Sequence, residues 1–199
     1  NGPIGAFGRE YGTTPSAAGQ GASAFAKGMT AAGVRPTAKH FPGIGRITGN
    51  TDATASGTTD TTMTRRDPHL RPFVSGVRNG AGMVMVGSAL YPRIDRQHRA
   101  VFSRRIITDV LRRDLGYTGV VVTDDVGVAR SVAAVPPAER AARQALAELV
   151  VEDFQAEPAV IARRHDRAHE AGDVQVALPR HVAEVARPVQ QVHVDGRRV

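Results

Sequence analysis

Cysteine is absent from the 199 residues, which removes disulfides and thiolate chemistry and leaves the redox compartment open. Aromatic residues make up only 5%, and they are not interleaved with the arginines that bring the net charge to +7. Without stacking platforms or a reader motif, that charge does not point to nucleic acid as a partner. No run of about 18 apolar residues occurs, so no membrane-spanning helix is expected. No signal-peptide pattern opens the chain either, because Asn1 already lies inside a motif. What remains is enough apolar sequence, 41%, to bury a substantial core.

Three segments organise that core. Val34–Ala38 reads as a brief strand leading into Lys39-His40-Phe41-Pro42-Gly43-Ile44-Gly45, where a proline and two glycines force a turn. Gly82–Ser88 is a second apolar run ending in small polar residues. Gly119–Thr123 is a third, continuous enough to be buried on both faces of a parallel sheet, and it stops at Asp124-Asp125. Helical spacing fills the gaps, with Leu70, Phe73, Val74 and Val77 between Asp67 and Arg78, and Ile106, Ile107, Val110 and Leu111 between Ser103 and Leu115. Strand, helix, strand, helix, strand predicts an α/β fold with a parallel sheet. In such folds the loops that follow the strands carry the chemistry, which singles out Lys39, His40 and Asp124.

The motif Lys39-His40-Phe41-Pro42-Gly43-x-Gly45, the segment Gly119–Asp125 and the stretch from Asn1 through Arg9-Glu10-Tyr11-Gly12 together resemble glycoside hydrolase family 3, in its bacterial β-N-acetylglucosaminidase branch. The resemblance covers residues 1–146. It implies a partial (β/α)8 barrel, retaining hydrolysis of terminal N-acetylglucosamine through a covalent glycosyl-enzyme, Asp124 as nucleophile, and Arg9, Lys39 and His40 as sugar-binding residues. A carbohydrate is thus the expected partner, with no cofactor and no metal. A β-glucosidase of the same family and an inactive, weakly glycan-binding fragment are the alternatives. Export to the cell envelope is implied, while a cytoplasmic location and the oligomeric state stay open.

The residues themselves agree with those roles. Polyol recognition needs several fixed donors in one pocket, and a retaining glycosidase needs an ionised carboxylate with a proton-transfer group ~5–5.5 Å away. Side chains alternate along a strand, so Asp125 should point away from Asp124 and serve structurally. Many members of the branch carry an aspartate-x-histidine pair for proton transfer; here the equivalent stretch is Asn50-Thr51-Asp52, and the histidine is absent. Asp52 takes its place as candidate acid/base, with Asp60 second. An aspartate does that work only where burial or a neighbouring anion retains its proton. Residues 43–62, rich in Gly, Thr, Ser and Asp with few apolar anchors, read as a mobile flap.

A complete barrel takes ~250 residues, so the first strands are expected to precede Asn1. At the far end only Gly172 and Gly196 of the 21 glycines follow residue 146, while four of seven histidines fall there. Residues 147–199 read as an unmatched tail from a shifted frame or a replaced terminus. His165 and His169 have the spacing of a metal pair but lack a third ligand, and are read as a solvated helix face. Pro136-Pro137-Ala138-Glu139 marks the last helix start.

Overall fold

The computed structural model describes residues 2–148, which fall in the first of two units, Asn1–Val150. Residues 149–199 of the expected tail, with His165 and His169, lie outside the described residues.

Three parallel strands, β1 (Thr37–Phe41), β2 (Met83–Val86) and β3 (Val120–Thr123), lie side by side in that order. Helix α1 (Pro15–Ala31) precedes them, α2 (Arg71–Arg78) joins β1 to β2, a π helix (Arg105–Asp114) joins β2 to β3, and α3 (Pro137–Glu148) follows. This is the predicted α/β alternation, and it forms part of a (β/α) barrel. The core sits between sheet and helices, where Phe41, Val84, Val86, Ile106 and Val110 are fully buried. Phe41 and Phe73 meet edge to face with centroids 5.2 Å apart, which ties β1 to α2.

Capping explains where the helices begin. Thr14 accepts from Ala17 N–H ahead of Pro15, Asp67 accepts from His69 N–H ahead of the turn Pro68–Leu70, and Ser103 accepts from Ile106 N–H. Ser103 is itself fixed by donating to Asp95 at 2.7 Å.

Two expectations need correction. β1 begins at Thr37 rather than Val34, because residues 32–36 are used to turn back from α1: Gly33 has φ 77° and Val34 N–H returns to Met29 O. The strand therefore runs through Lys39 and His40 instead of ending before them. β3 is not buried on both faces: Val121 is buried, but Val120 is 51% exposed, since β3 is an edge strand among the described residues.

Candidate active site

The register of β1 against β2 pairs Lys39 with Met85 and Phe41 with Val86, so His40 is an extra residue with no partner across the ladder. Such a bulge re-aims a side chain. Here Lys39 stays exposed while His40 and Phe41 are both buried. Gly87 makes room for the imidazole: a Cβ at that position would lie 3.2 Å from the His40 Cβ. Past the strand, Tyr91 Oη donates to Gly43 O at 2.8 Å, and burial pushes that hydroxyl's pKa up, so it remains a donor.

At the end of β3, Asp124 N–H donates to Val86 O, and its carboxylate comes to 3.6 Å from His40 Nε2. That distance is too long for a hydrogen bond. It is not an ion pair at neutral pH either, because burial holds His40 below its ordinary 6.5; Asp124 opposes this, Lys39 and Arg9 reinforce it, and Asp52 opposes it weakly. All four sequence-predicted partners thus act on one neutral imidazole. His40 Nδ1 is buried and has no hydrogen-bond partner among the described residues.

Arg9, Lys39 and His40 line a single hollow of about 450 Å³ together with Tyr11, Phe25 and Phe73. Asp124 and Asp52 lie outside that lining. Arg9 is exposed, donating to Pro3 O at 3.3 Å and resting 5.6 Å from the Phe7 ring centroid. Gly2 presses so closely on Ile47 O that no Cβ fits, which holds the segment bearing Arg9 against the Lys-His loop.

Asp125 is structural, as alternation along the strand predicts. Its carboxylate accepts from Gly127 N–H at 2.8 Å and Val128 N–H at 3.2 Å, tying the turn that follows Asp124.

The two acid/base candidates part company. Asp60 is 3% exposed and accepts from Arg46, from Thr62 N–H and Oγ1, and from Met63 N–H. Burial raises its pKa, but those donors outweigh it and hold the carboxyl below its usual range, so Asp60 is a fixed anion and not a proton shuttle. Asp52 is exposed, and its backbone carbonyl accepts from Arg130 N–H at 3.1 Å.

The predicted flap is pinned, which corrects the reading of residues 43–62. Ile44 and Ile47 are buried, Thr48 and Gly49 N–H both donate to Gly57 O, Asp60 N–H donates to Leu90 O, and Leu90 N–H donates to Thr58 O. Arg46 then joins Asp60 to Asp67 at 2.9 Å each, and Ser131 N–H holds Thr51 O at 3.0 Å. The polar composition serves internal hydrogen bonds rather than motion. Ser88, whose hydroxyl meets Ser131 Oγ at 2.7 Å, and Arg140, buried on α3, complete the rim. The sequence offers no local signal for either beyond polar residues near strand ends. Among the described residues, no group of three His, Asp or Glu side chains is placed to hold a metal.

The profile of the Glycosyl hydrolase family 3 N terminal domain matches residues 2–163. A beta-hexosaminidase of Stenotrophomonas maltophilia (strain R551-3) is 35% identical over 123 residues, covering 62% of this chain and 36% of that protein. An uncharacterized secreted glycosyl hydrolase of Arthroderma benhamiae is 36% identical over 126 residues, covering 59% and 34%. The crystal structure of beta-N-acetylhexosaminidase from Beutenbergia cavernae superposes with a TM-score of 0.71 at 40% identity, covering 86% of this chain and 52% of that one. Native NagZ from Neisseria gonorrhoeae gives 0.60 at 30% identity, covering 72% and 40%. The chain spans about a third of the length of these curated relatives.

Proposed function

The chain belongs to glycosyl hydrolase family 3, and from that premise we propose that it serves a retaining β-N-acetylhexosaminidase acting on terminal N-acetylglucosamine. The observation that carries this reading is the neutral His40 set 3.6 Å from Asp124, with Lys39, Arg9 and Asp52 in electrostatic reach. Asp124 attacks the anomeric carbon and forms the covalent glycosyl-enzyme, while Asp52 protonates the leaving oxygen and then deprotonates the incoming water. Lys39, Arg9 and His40 bind sugar hydroxyls. With an anionic base, water rather than phosphate is the acceptor.

The test is hydrolysis of a chromogenic N-acetylglucosaminide against the matching glucoside. The N-acetylglucosaminide should turn over faster, with Asp124→Asn abolishing activity. Preference for the glucoside moves the assignment within the family. A folded chain silent on both substrates favours the second reading, a weak glycan-binding fragment, which the open outer edge of β1 among the described strands supports.

A further inference from the structure

α3 is the last described element, and its Arg140 is only 7% exposed although it pairs with no carboxylate among the described residues. Its Nε donates to Val135 O at 2.7 Å, and Nη1 donates to Val126 O at 2.7 Å and Gly127 O at 2.6 Å. Burying a guanidinium is unfavourable unless its donors are satisfied. Three carbonyls satisfy it here without neutralising its charge, so the gain is one of shape.

Those carbonyls stand at the two ends of the loop 126–135, which starts directly after Asp124-Asp125. Midway along it, Arg130 and Ser131 donate their N–H groups to the carbonyls of Asp52 and Thr51, at 3.1 and 3.0 Å. The Ser131 hydroxyl also meets Ser88 at the end of β2. The loop that continues from the nucleophile is thus the same loop that carries the acid/base segment, and Arg140 closes it across its mouth. Retention requires the two carboxyl groups at ~5–5.5 Å, and displacements of about 1 Å cost about 100-fold in rate.

We propose that Arg140 is the positioning residue for proton transfer: by fixing the loop 126–135 it sets the Asp52 segment relative to Asp124 without touching any reacting group. This rests on Asp52 as the acid/base. Arg140→Gln and Arg140→Lys in the full chain provide the test, by two independent readouts. In hydrogen exchange, the amides of Arg130 and Ser131 should exchange about tenfold faster in the Gln variant over and above any change at the Val121 and Val122 amides, which report global stability, with the Lys variant intermediate.

In kinetics, the Gln variant should lose about 100-fold on a phenyl N-acetylglucosaminide, whose departure needs a proton, and under about tenfold on the 2,4-dinitrophenyl analogue, whose departure does not. Added azide should recover part of the loss on the dinitrophenyl substrate, as it should for Asp52→Ala. A merely structural defect lowers both substrates alike. Equal losses on the two substrates, or unaltered exchange at Arg130 and Ser131, overturn the proposal. If the unsubstituted chain hydrolyses neither substrate, the enzymatic reading of this chain fails, and the exchange result alone decides whether Arg140 holds the two segments together.

Discussion

Two arginines hold the two loops that meet at the rim, and they do so by different physics. Arg46 fastens the loop after β1 through charge, to Asp60 and Asp67 at 2.9 Å each, with its own side chain 30% exposed. Arg140 fastens the loop after β3 through neutral carbonyls and is almost wholly buried. Acid and salt can weaken the first attachment and leave the second untouched. One candidate site therefore rests on a titratable anchor under its candidate acid/base loop and a non-titratable anchor under its candidate nucleophile loop.

Breaking the second anchor should cost most. Arg140→Gln leaves at least one buried carbonyl without its donor and should lower stability by about 2–4 kcal/mol, read as a shift in the urea midpoint. Breaking the first should cost less, because Arg46 keeps Asp67: Asp60→Asn retains acceptors for Thr62 and Met63 but loses the charge, for about 1–2 kcal/mol. An equal or larger loss in Asp60→Asn would reverse the ranking of the two anchors.

Acid sharpens the contrast. Burial pushes the Asp67 carboxyl up, but hydrogen bonds from Arg46 and His69 outweigh this and bring it down from 3.8 to about 2. A depressed folded value means stability that is present above pH 3.8 and lost as pH falls through about 2, since the unfolded chain binds the proton more readily. Urea midpoints between pH 6 and 2.5 should fall for the native chain and for Arg140→Gln with the same slope, and more gently for Arg46→Gln. Identical slopes in all three would place the titration elsewhere.

His40 adds a smaller acid effect at higher pH. Held below 6.5 chiefly by burial, it is neutral in the folded chain, and stability declines as pH drops below 6.5 towards the lowered value. The imidazole nitrogen shifts of His40 should show the neutral form at pH 6.5; half-protonation there contradicts the assignment. The smallest effect belongs to a pair remote from both anchors. Arg65 and Asp114 form a two-pronged bond at 2.9 Å on the surface, and Arg65→Gln should change stability by under about 1 kcal/mol.

The sequence was most legible where one local pattern decided the outcome. The parallel alternation, the helices around Phe73 and Ile107 and the placing of Asp124 just past a strand all follow from periodicity and punctuation. Helix α1 was hidden because Gly19, Gly21 and Gly28 depress its helix propensity. Two of those glycines instead allow close approach: a Cβ would stand 3.2 Å from Ser75 Oγ at Gly19 and 2.8 Å from Tyr11 Cβ at Gly21. The flap was misread because Ser, Thr and Asp look alike whether they face water or one another. Arg46 pairs over 14 and 21 residues with Asp60 and Asp67, and no local window contains that fact. Arg140 was invisible for a related reason, since carbonyl partners leave no trace in residue identity.

The central claim is that Asp124 is the nucleophile presented beside His40. Incubating the chain with a slowly released fluorinated N-acetylglucosaminide, followed by proteolysis and mass spectrometry, tests it directly. The account predicts one sugar adduct on the peptide containing Asp124, absent in Asp124→Asn. An adduct on Asp52, Asp60 or any other residue, with Asp124 unlabelled, contradicts it.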